Sequence, residues 1–167
     1  MQTRYPFWIF MARFKPILLV VLCSLMTFYS YASIRLQQIN GQDIPLSTLS
    51  GKWVLINYWA SWCKSCLEEI PEFNRFYDTI KHQQVALFAV NYDALPVDKQ
   101  QQLIKQLDIH YPSLKEDPAK ALELGDIRGV PVTYVFNPQG VLAATLYGGQ
   151  TAKTLKRTML LGGNKGR

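Results

Sequence analysis

The sequence contains two closely spaced cysteines, Cys63 and Cys66, whose thiols are suited to disulfide exchange. They stand as Trp62-Cys63-Lys64-Ser65-Cys66, directly after an apolar run and at the start of a helical pattern. Exchange requires a thiolate, which a helix N-terminus stabilises through its free N–H groups and partial positive charge. Two intervening residues let both sulfurs meet across the first turn. We therefore predict a redox-active Cys63–Cys66 disulfide.

Helical geometry predicts different roles for the two cysteines. At about 100° per residue, Cys66 falls near the middle of the apolar arc of the predicted helix, and Cys63 lies toward its edge. We expect Cys63 to be the exposed nucleophile, with Lys64 as a nearby cation, and Cys66 to be the buried resolving thiol. Glu69 lies at the other border of the arc. The apolar residues of the arc are Leu67, Ile70, Phe73, Phe76, Tyr77 and Ile80.

A zinc site and a purely structural disulfide are the other interpretations of the cysteine pair. Zinc usually needs four ligands, but no second cysteine pair follows, and the two histidines, His82 and His110, lack ligand spacing. A disulfide that closes so short a loop stabilises little beyond local geometry. The sequence thus predicts no metal site. It also contains no glycine-rich phosphate loop or haem-attachment motif, so we expect no cofactor besides the redox-active disulfide.

The segments around the pair predict an α/β fold. Residues 52–60 and Val85–Asn91 are apolar runs typical of buried strands, and the predicted helix over 63–81 lies between them. Alternating strands and helices predict a parallel sheet with helices on both faces, and a later hairpin makes the sheet mixed. The remaining predicted elements are an edge hairpin in 33–50, helices at 98–107, 117–125 and 151–162, and strands at 132–136 and 141–146 joined by a turn at 137–140.

The first 32 residues are predicted to be a signal peptide or an N-terminal membrane anchor, followed by one domain over 33–167. The uncharged apolar run 17–32 follows Arg13 and Lys15, which is the order of a secretory signal. We expect the folded part to lie in the periplasm or at the outer face of the cytoplasmic membrane, where disulfides persist. A buried core helix is the alternative interpretation of the run.

The charge of the chain does not indicate a nucleic-acid partner. Its net charge is +6, and residues 33–167 carry 15 basic and 12 acidic side chains, a difference of +3. No basic cluster with interleaved aromatic residues occurs, so the excess is ordinary surface charge.

Several segments resemble those of a known family. Residues 59–66 strongly resemble the active-site segment of thioredoxin-fold proteins, and residues 129–133 resemble their loop that places a cis-proline opposite the cysteines. Pro71 matches the proline that kinks their active-site helix. The leader and residues 40–52 are similar to the exported TlpA/ResA branch. The resemblance covers roughly residues 34–160 and implies a thioredoxin fold, with a central mixed β-sheet flanked by helices.

The resemblance also implies roles for residues besides the cysteines. Trp62, Val130 and Pro131 are expected to contact substrate, with the backbone of Val130 exposed for pairing with a substrate segment. Glu69 matches a buried acid of the ResA-like branch. In apolar surroundings its pKa would be raised, and it would pass a proton to or from Cys66. The alternative interpretation of Pro131 is a plain loop proline, and that of Glu69 is a surface glutamate at a helix start.

Three features depart from the family pattern. Asn57 occupies the strand position where thioredoxin carries an aspartate under the active site, so either Glu69 gains importance or proton transfer is water-mediated. Ser65 stands where the family usually has proline, which leaves the redox potential open. The stretch 92–116 is longer than a minimal thioredoxin needs and resembles the insertion of the TlpA/ResA branch.

The function implied by the resemblance is that of an enzyme, an extracytoplasmic thiol–disulfide oxidoreductase acting on protein thiols or disulfides. The usual direction in that branch is reduction, for example of apocytochrome c cysteines in cytochrome c maturation. Electrons would come from a membrane thiol donor of DsbD or CcdA type. The nearest alternative is a disulfide oxidant or isomerase. A copper-handling protein on the same fold and a non-catalytic module binding through the groove near Val130 are further alternatives.

Overall fold

The computed structural model describes residues 34–80 and 83–163, and a mixed five-stranded sheet lies at its centre. Within these residues, three α-helices, a short 3-10 helix at Leu46–Leu49 and a two-stranded sheet accompany it. In chain order the elements are β1 (Arg35–Gln37), β2 (Asp43–Pro45), β3 (Trp53–Trp59), α1 (Lys64–Ile80), β4 (Val85–Asn91), α2 (Val97–Gln106), β5 (Ser113–Leu114), β6 (Val132–Phe136), β7 (Leu142–Tyr147) and α3 (Ala152–Gly163).

The central sheet has the strand order β5-β4-β3-β6-β7. Strands β3, β4 and β5 are parallel, β6 pairs antiparallel with β3, and β7 pairs antiparallel with β6. Strand β3 is paired on both sides, so that Asn57 stands opposite Ala89 of β4 and Thr133 of β6. Its residues after Trp53 are all buried, as expected of a strand covered on both faces. The predicted mixed sheet flanked by helices is confirmed.

All three helices cover the same face of this sheet. Leu55 of β3 belongs to one core cluster with Phe73 of α1 and Leu155 of α3, and Leu103 of α2 packs against that cluster. The steps from β3 to β4 and from β4 to β5 go in the same direction, so two right-handed crossovers place α1 and α2 on one side. The expectation of helices on both faces is therefore wrong.

The opposite face is covered without an α-helix in the described residues. The β1–β2 hairpin, the 3-10 helix and the segment returning from β5 to β6 contribute to a second core cluster around Ile56. The helix predicted at 117–125 is wrong, because this segment forms turns. The chain leaves helical geometry after one turn: Glu123 and Gly125 adopt φ angles of 53° and 71°, in the left-handed region.

A hydrogen bond from a buried tyrosine fastens this return segment to the sheet. The hydroxyl of Tyr58, a fully buried residue of β3, donates to Asp117 Oδ1 at 2.6 Å. The same carboxylate oxygen accepts the N–H of Ala119 at 2.8 Å. Burial, together with the Asp117 carboxylate, raises the pKa of Tyr58 well above its usual range. The hydroxyl therefore remains a donor throughout the physiological pH range.

Other local predictions agree with the structure. The side chain of Asn137 accepts the N–H groups of Gln139 and Val141 in the turn between β6 and β7. Thr151 Oγ1 accepts the N–H of Thr154 at the start of α3, as a capping residue does. The predicted leader, residues 1–32, lies outside the described residues. No helix in the described part of the chain is long and apolar enough to cross a membrane.

We expect Tyr58→Phe to lower the free energy of unfolding by about 1–3 kcal/mol, because it removes a hydrogen bond from the buried Tyr58 hydroxyl to a charged acceptor. Urea unfolding of the oxidised protein measures this. Tyr134→Phe is a matched control on the same face, since the Tyr134 hydroxyl makes no hydrogen bond among the described residues and its ring packs edge-on against Tyr58. Equal losses in the two variants would contradict the role of the Tyr58–Asp117 contact.

Candidate active site

Cys63 and Cys66 form a disulfide at the N-terminus of α1, just beyond the end of β3. The N–H of Leu67 donates to the Cys63 carbonyl at 3.1 Å, and the N–H of Cys66 donates to Cys63 Sγ at 3.2 Å. Cys63 thus occupies the N-cap position, with its sulfur where a serine or aspartate oxygen usually accepts. A thiolate at this position faces free helical N–H groups and the positive end of the helix.

The two cysteines differ in exposure less than the sequence predicts. Cys66 is 0% and Cys63 6% exposed, and both belong to the core cluster on the helical face. Cys63 is therefore the more accessible residue, but the prediction that it is exposed is wrong for this disulfide form. The predicted cation is also displaced from the sulfur: the Lys64 side chain is 90% exposed and pairs with Glu68 at 3.8 Å, one turn further along α1.

Glu69 lies one turn after Cys66 on α1 and is buried, with 3% exposure. Asn57 Nδ2 donates to its Oε1 at 2.8 Å, and the N–H of Gln150 donates to its Oε2 at 2.8 Å. Burial raises the pKa of Glu69 to about 7, although both hydrogen bonds act to lower it. Near neutral pH the carboxyl is thus divided between its two protonation states, as proton transfer requires. The surface-glutamate alternative is wrong.

The polar network around Glu69 includes three further residues that the sequence did not single out, Tyr111, Thr133 and Gln150. The hydroxyl of Tyr111 donates to Asn57 Oδ1 at 3.2 Å, and Asn57 Nδ2 lies 3.2 Å from Thr133 Oγ1. Burial and the neighbouring Glu69 carboxylate raise the pKa of Tyr111 well above its usual range, so its hydroxyl stays a donor. The hydroxyls of Tyr111 and Thr133 thus fix the amide of Asn57 so that its N–H group donates to Glu69. The available signal was Asn57 itself, because a buried amide in a central strand needs partners.

The loop before β6 lies at the same end of the sheet as the cysteines. The Val130–Pro131 peptide bond is cis, and Val132, where β6 begins, pairs with Tyr58 near the end of β3. The Pro131 carbonyl accepts the N–H of Gly148 at 2.9 Å. Val130 is half-buried and packs against both core clusters. The topology therefore brings the predicted substrate loop and the disulfide together.

Trp62 projects from the protein beside Cys63, with 66% of the residue exposed. Its indole N–H donates to Asp93 Oδ1 at 2.7 Å, which holds the ring in one orientation. Asp93 belongs to the 92–116 insertion, so this stretch contributes directly to the rim of the site. The sequence does not single out Asp93, because its partner is 31 residues away.

The histidines considered as metal ligands lie away from this arrangement or outside the described residues. His110 is near Asp108, with Nε2 at 2.9 Å from Oδ1, and His82 is not described. In the parts of the chain that the structure covers, no group of three or more His, Cys, Asp or Glu side chains is placed to hold a metal ion.

Comparisons with known proteins agree with this geometry. The profile of the AhpC/TSA family matches residues 30–145. The thiol-disulfide oxidoreductase ResA of Bacillus subtilis (strain 168) is 29% identical over 126 residues, which cover 75% of this chain and 70% of that protein. The crystal structure of StoA from Bacillus subtilis superposes with a TM-score of 0.64 at 26% identity, covering 75% of this chain and 94% of StoA.

A second solved structure bears on the fold alone. It is a thiol:disulfide interchange protein of the thioredoxin family from Chlorobium tepidum TLS, with a TM-score of 0.64 and 22% identity. The match covers 77% of this chain and 92% of that one. Together with the StoA superposition, it confirms the predicted thioredoxin fold.

We expect the stability of the oxidised protein to fall as pH rises from about 4.5 to above 7, through Glu69. The folded protein binds this proton more tightly than the unfolded chain, since burial raises the pKa from 4.5 to about 7. The stability that Glu69 contributes is therefore fully present below pH 4.5 and is lost as the pH rises through about 7. The difference is on the order of 3 kcal/mol, and urea unfolding of wild type and Glu69→Gln across this pH range measures it.

Glu68→Gln is the matched control, because it removes an exposed carboxylate from the neighbouring position of α1. We expect this variant to keep the wild-type pH dependence and Glu69→Gln to lose part of it. An unchanged slope in Glu69→Gln would show that the buried carboxyl does not titrate in this range.

Proposed function

The chain belongs to the AhpC/TSA family and is a thioredoxin-fold thiol–disulfide oxidoreductase of the ResA type, and on that premise we propose that it reduces protein disulfides outside the cytoplasm. The observation that carries disulfide exchange is the Cys63 sulfur at the N-cap of α1, with the Glu69 carboxyl buried one turn beyond Cys66, whereas the reducing direction rests on the resemblance to the TlpA/ResA branch. The first group provides a stabilised nucleophile. The second is a base with a pKa near 7 beside the resolving thiol.

In the proposed reaction the Cys63 thiolate attacks one sulfur of a substrate disulfide. A bond forms between Cys63 and that sulfur, the substrate S–S bond breaks, and the departing thiolate takes a proton from solvent. Cys66 then passes its proton to Glu69 and attacks Cys63 Sγ. This closes the Cys63–Cys66 bond and releases the second substrate thiolate, which takes the proton from Glu69. Two electrons have passed from the enzyme dithiol to the substrate.

The rim of the site suits an extended polypeptide substrate. We assign contact with the substrate backbone to the loop at Val130 and Pro131, and contact with its side chains to the Trp62 ring. Support comes from the position of the loop at the cysteine end of the sheet and from the exposed, fixed indole. An oriented ring loses little conformational freedom when it contacts a partner.

The oxidised enzyme must be reduced again before the next cycle. A membrane thiol donor of DsbD or CcdA type fits this requirement, since it would deliver two electrons to the Cys63–Cys66 disulfide on the outer side of the membrane. The extracytoplasmic location rests on the apolar run that follows Arg13 and Lys15. Reduction of apocytochrome c cysteines before haem attachment is the substrate reaction we favour.

Disulfide formation is a second candidate, and one observation favours it. The N-cap position of Cys63 stabilises the thiolate and hence the dithiol form. Stabilising the dithiol makes the corresponding disulfide a stronger oxidant. The reduction potential of the pair distinguishes the two directions.

We expect a reduction potential at or below that of thioredoxin, about −270 mV, because a reductase must transfer electrons to its substrate. Equilibration of the full-length protein with thiol–disulfide buffers, followed by trapping and mass analysis of Cys63 and Cys66, measures it. A value near about −120 mV, the potential of DsbA, would contradict the reductase direction and indicate disulfide formation.

We expect reduced Cys66→Ser to accumulate a mixed disulfide between Cys63 and a disulfide-bonded test peptide, because no resolving thiol remains. Reduced Cys63→Ser should form at least tenfold less of this mixed disulfide, since its remaining cysteine of the pair, Cys66, is fully buried. Non-reducing electrophoresis and peptide mapping measure both. Equal trapping by the two variants would contradict the assigned roles, and substrate reduction by the double serine variant would refute exchange through this pair.

A further inference from the structure

The side chain of Ser65 lies beside the sulfur of the nucleophilic cysteine. Ser65 Oγ is 3.6 Å from Cys63 Sγ, within the range of hydrogen bonds to sulfur. Among the described residues, the other hydrogen bond to this sulfur comes from the N–H of Cys66 at 3.2 Å. A backbone donor and a hydroxyl therefore approach the same sulfur from within the first turn of α1.

We propose that the Ser65 hydroxyl donates a hydrogen bond to the Cys63 thiolate in the dithiol enzyme, and that Ser65 is a catalytic residue of the exchange reaction. The inference rests on the proposed function, because it assigns a role within the same attack on a substrate disulfide. In that attack the hydroxyl releases its hydrogen bond as Cys63 forms its new S–S bond. Ser65 itself neither gains nor loses a proton.

The chemistry of sulfur explains why this contact strengthens on reduction. A sulfur in a disulfide is a weak acceptor, whereas a thiolate carries a full negative charge and forms a charge-assisted hydrogen bond. A serine hydroxyl rotates freely about its C–O bond and can turn its hydrogen toward the charge. A proline at this position would offer neither a side-chain donor nor an N–H group.

The neighbouring lysine is the competing source of thiolate stabilisation. Lys64 carries a full charge, but its side chain is 90% exposed and paired with Glu68 at 3.8 Å. Water screens a charge in that position strongly. The Ser65 hydroxyl lies within hydrogen-bond distance of the sulfur and acts through a directed hydrogen bond. Lys64→Gln is therefore a matched control at the adjacent position of the same turn.

The test is the pH dependence of Cys63 alkylation in reduced, full-length protein, with the modified residue identified by mass spectrometry. We expect Ser65→Ala to raise the pKa of the Cys63 thiol by about one unit, as loss of one hydrogen bond to a charged group requires. Ser65→Thr retains the hydroxyl and should stay near the wild-type value. Lys64→Gln should shift the pKa by less than half as much as Ser65→Ala.

A second measurement separates the hydroxyl from a change in helix structure. Ser65→Ala should shift the equilibrium with glutathione toward the Cys63–Cys66 disulfide, by up to about tenfold, because the dithiol loses stabilisation. Its oxidised form should melt at the wild-type temperature, since alanine suits the first turn of a helix. Agreement of Ser65→Thr with wild type in both measurements attributes the effect to the hydroxyl.

The inference is overturned if Ser65→Ala leaves the Cys63 pKa unchanged, if Lys64→Gln shifts it equally, or if Ser65→Thr behaves like Ser65→Ala. These outcomes are independent of the proposed function. Wild-type protein that fails to exchange with a disulfide peptide refutes exchange, whereas wild-type exchange without a pKa shift in Ser65→Ala refutes only the assignment of Ser65.

Discussion

The carboxylate of Glu69 joins three elements of the protein at one buried point. It belongs to α1, accepts a hydrogen bond from Asn57 of β3, and accepts another from the N–H of Gln150 just before α3. One turn further along α1, Glu72 accepts the N–H of Ala152 at the start of α3. Free N–H groups at a helix start need acceptors. Two acids of α1 therefore supply acceptors at the start of α3 while α1 is fixed over the central strand.

This arrangement makes the proton affinity of Glu69 a compromise. Burial favours the neutral acid, whereas the donors from Asn57 and Gln150 favour the carboxylate. An aspartate in place of Asn57 would put a second carboxylate beside Glu69, and two like charges so close resist joint ionisation. The amide instead lets one carboxyl titrate near neutral pH. The orientation of the Asn57 amide depends on Tyr111, whose hydroxyl donates a hydrogen bond to the amide oxygen.

The disulfide is placed by the junction between β3 and α1, where an apolar strand ends and a helix begins. Cys63 caps the helix with its sulfur, and Cys66 lies within the core beneath it. The same end of the sheet receives the loop at Val130 and Pro131, because β6 runs antiparallel to β3. The site thus combines the fully buried Cys66, Cys63 at the border of the core and an adjacent loop, all on a rigid sheet.

The sequence by itself determined the elements that have strong local signals. The cysteine pair is identified by its own spacing. Apolar periodicity and turn chemistry, which act over a few residues, predict the strands Val85–Asn91 and Val132–Phe136, the helix that follows the cysteines and the turn at Asn137. The resemblance to thioredoxin-fold proteins added Glu69 and the loop at Pro131.

Only the tertiary structure decided how these elements face one another. Both crossover helices lie on one face because the strand order steps twice in the same direction. The segment after Asp117 stays a turn although its capping sequence is favourable. Tyr111 and Asn57 are 54 residues apart, and Trp62 and Asp93 are 31 apart. Such contacts depend on which strands become neighbours, and local sequence patterns carry no information about partners so distant in the chain.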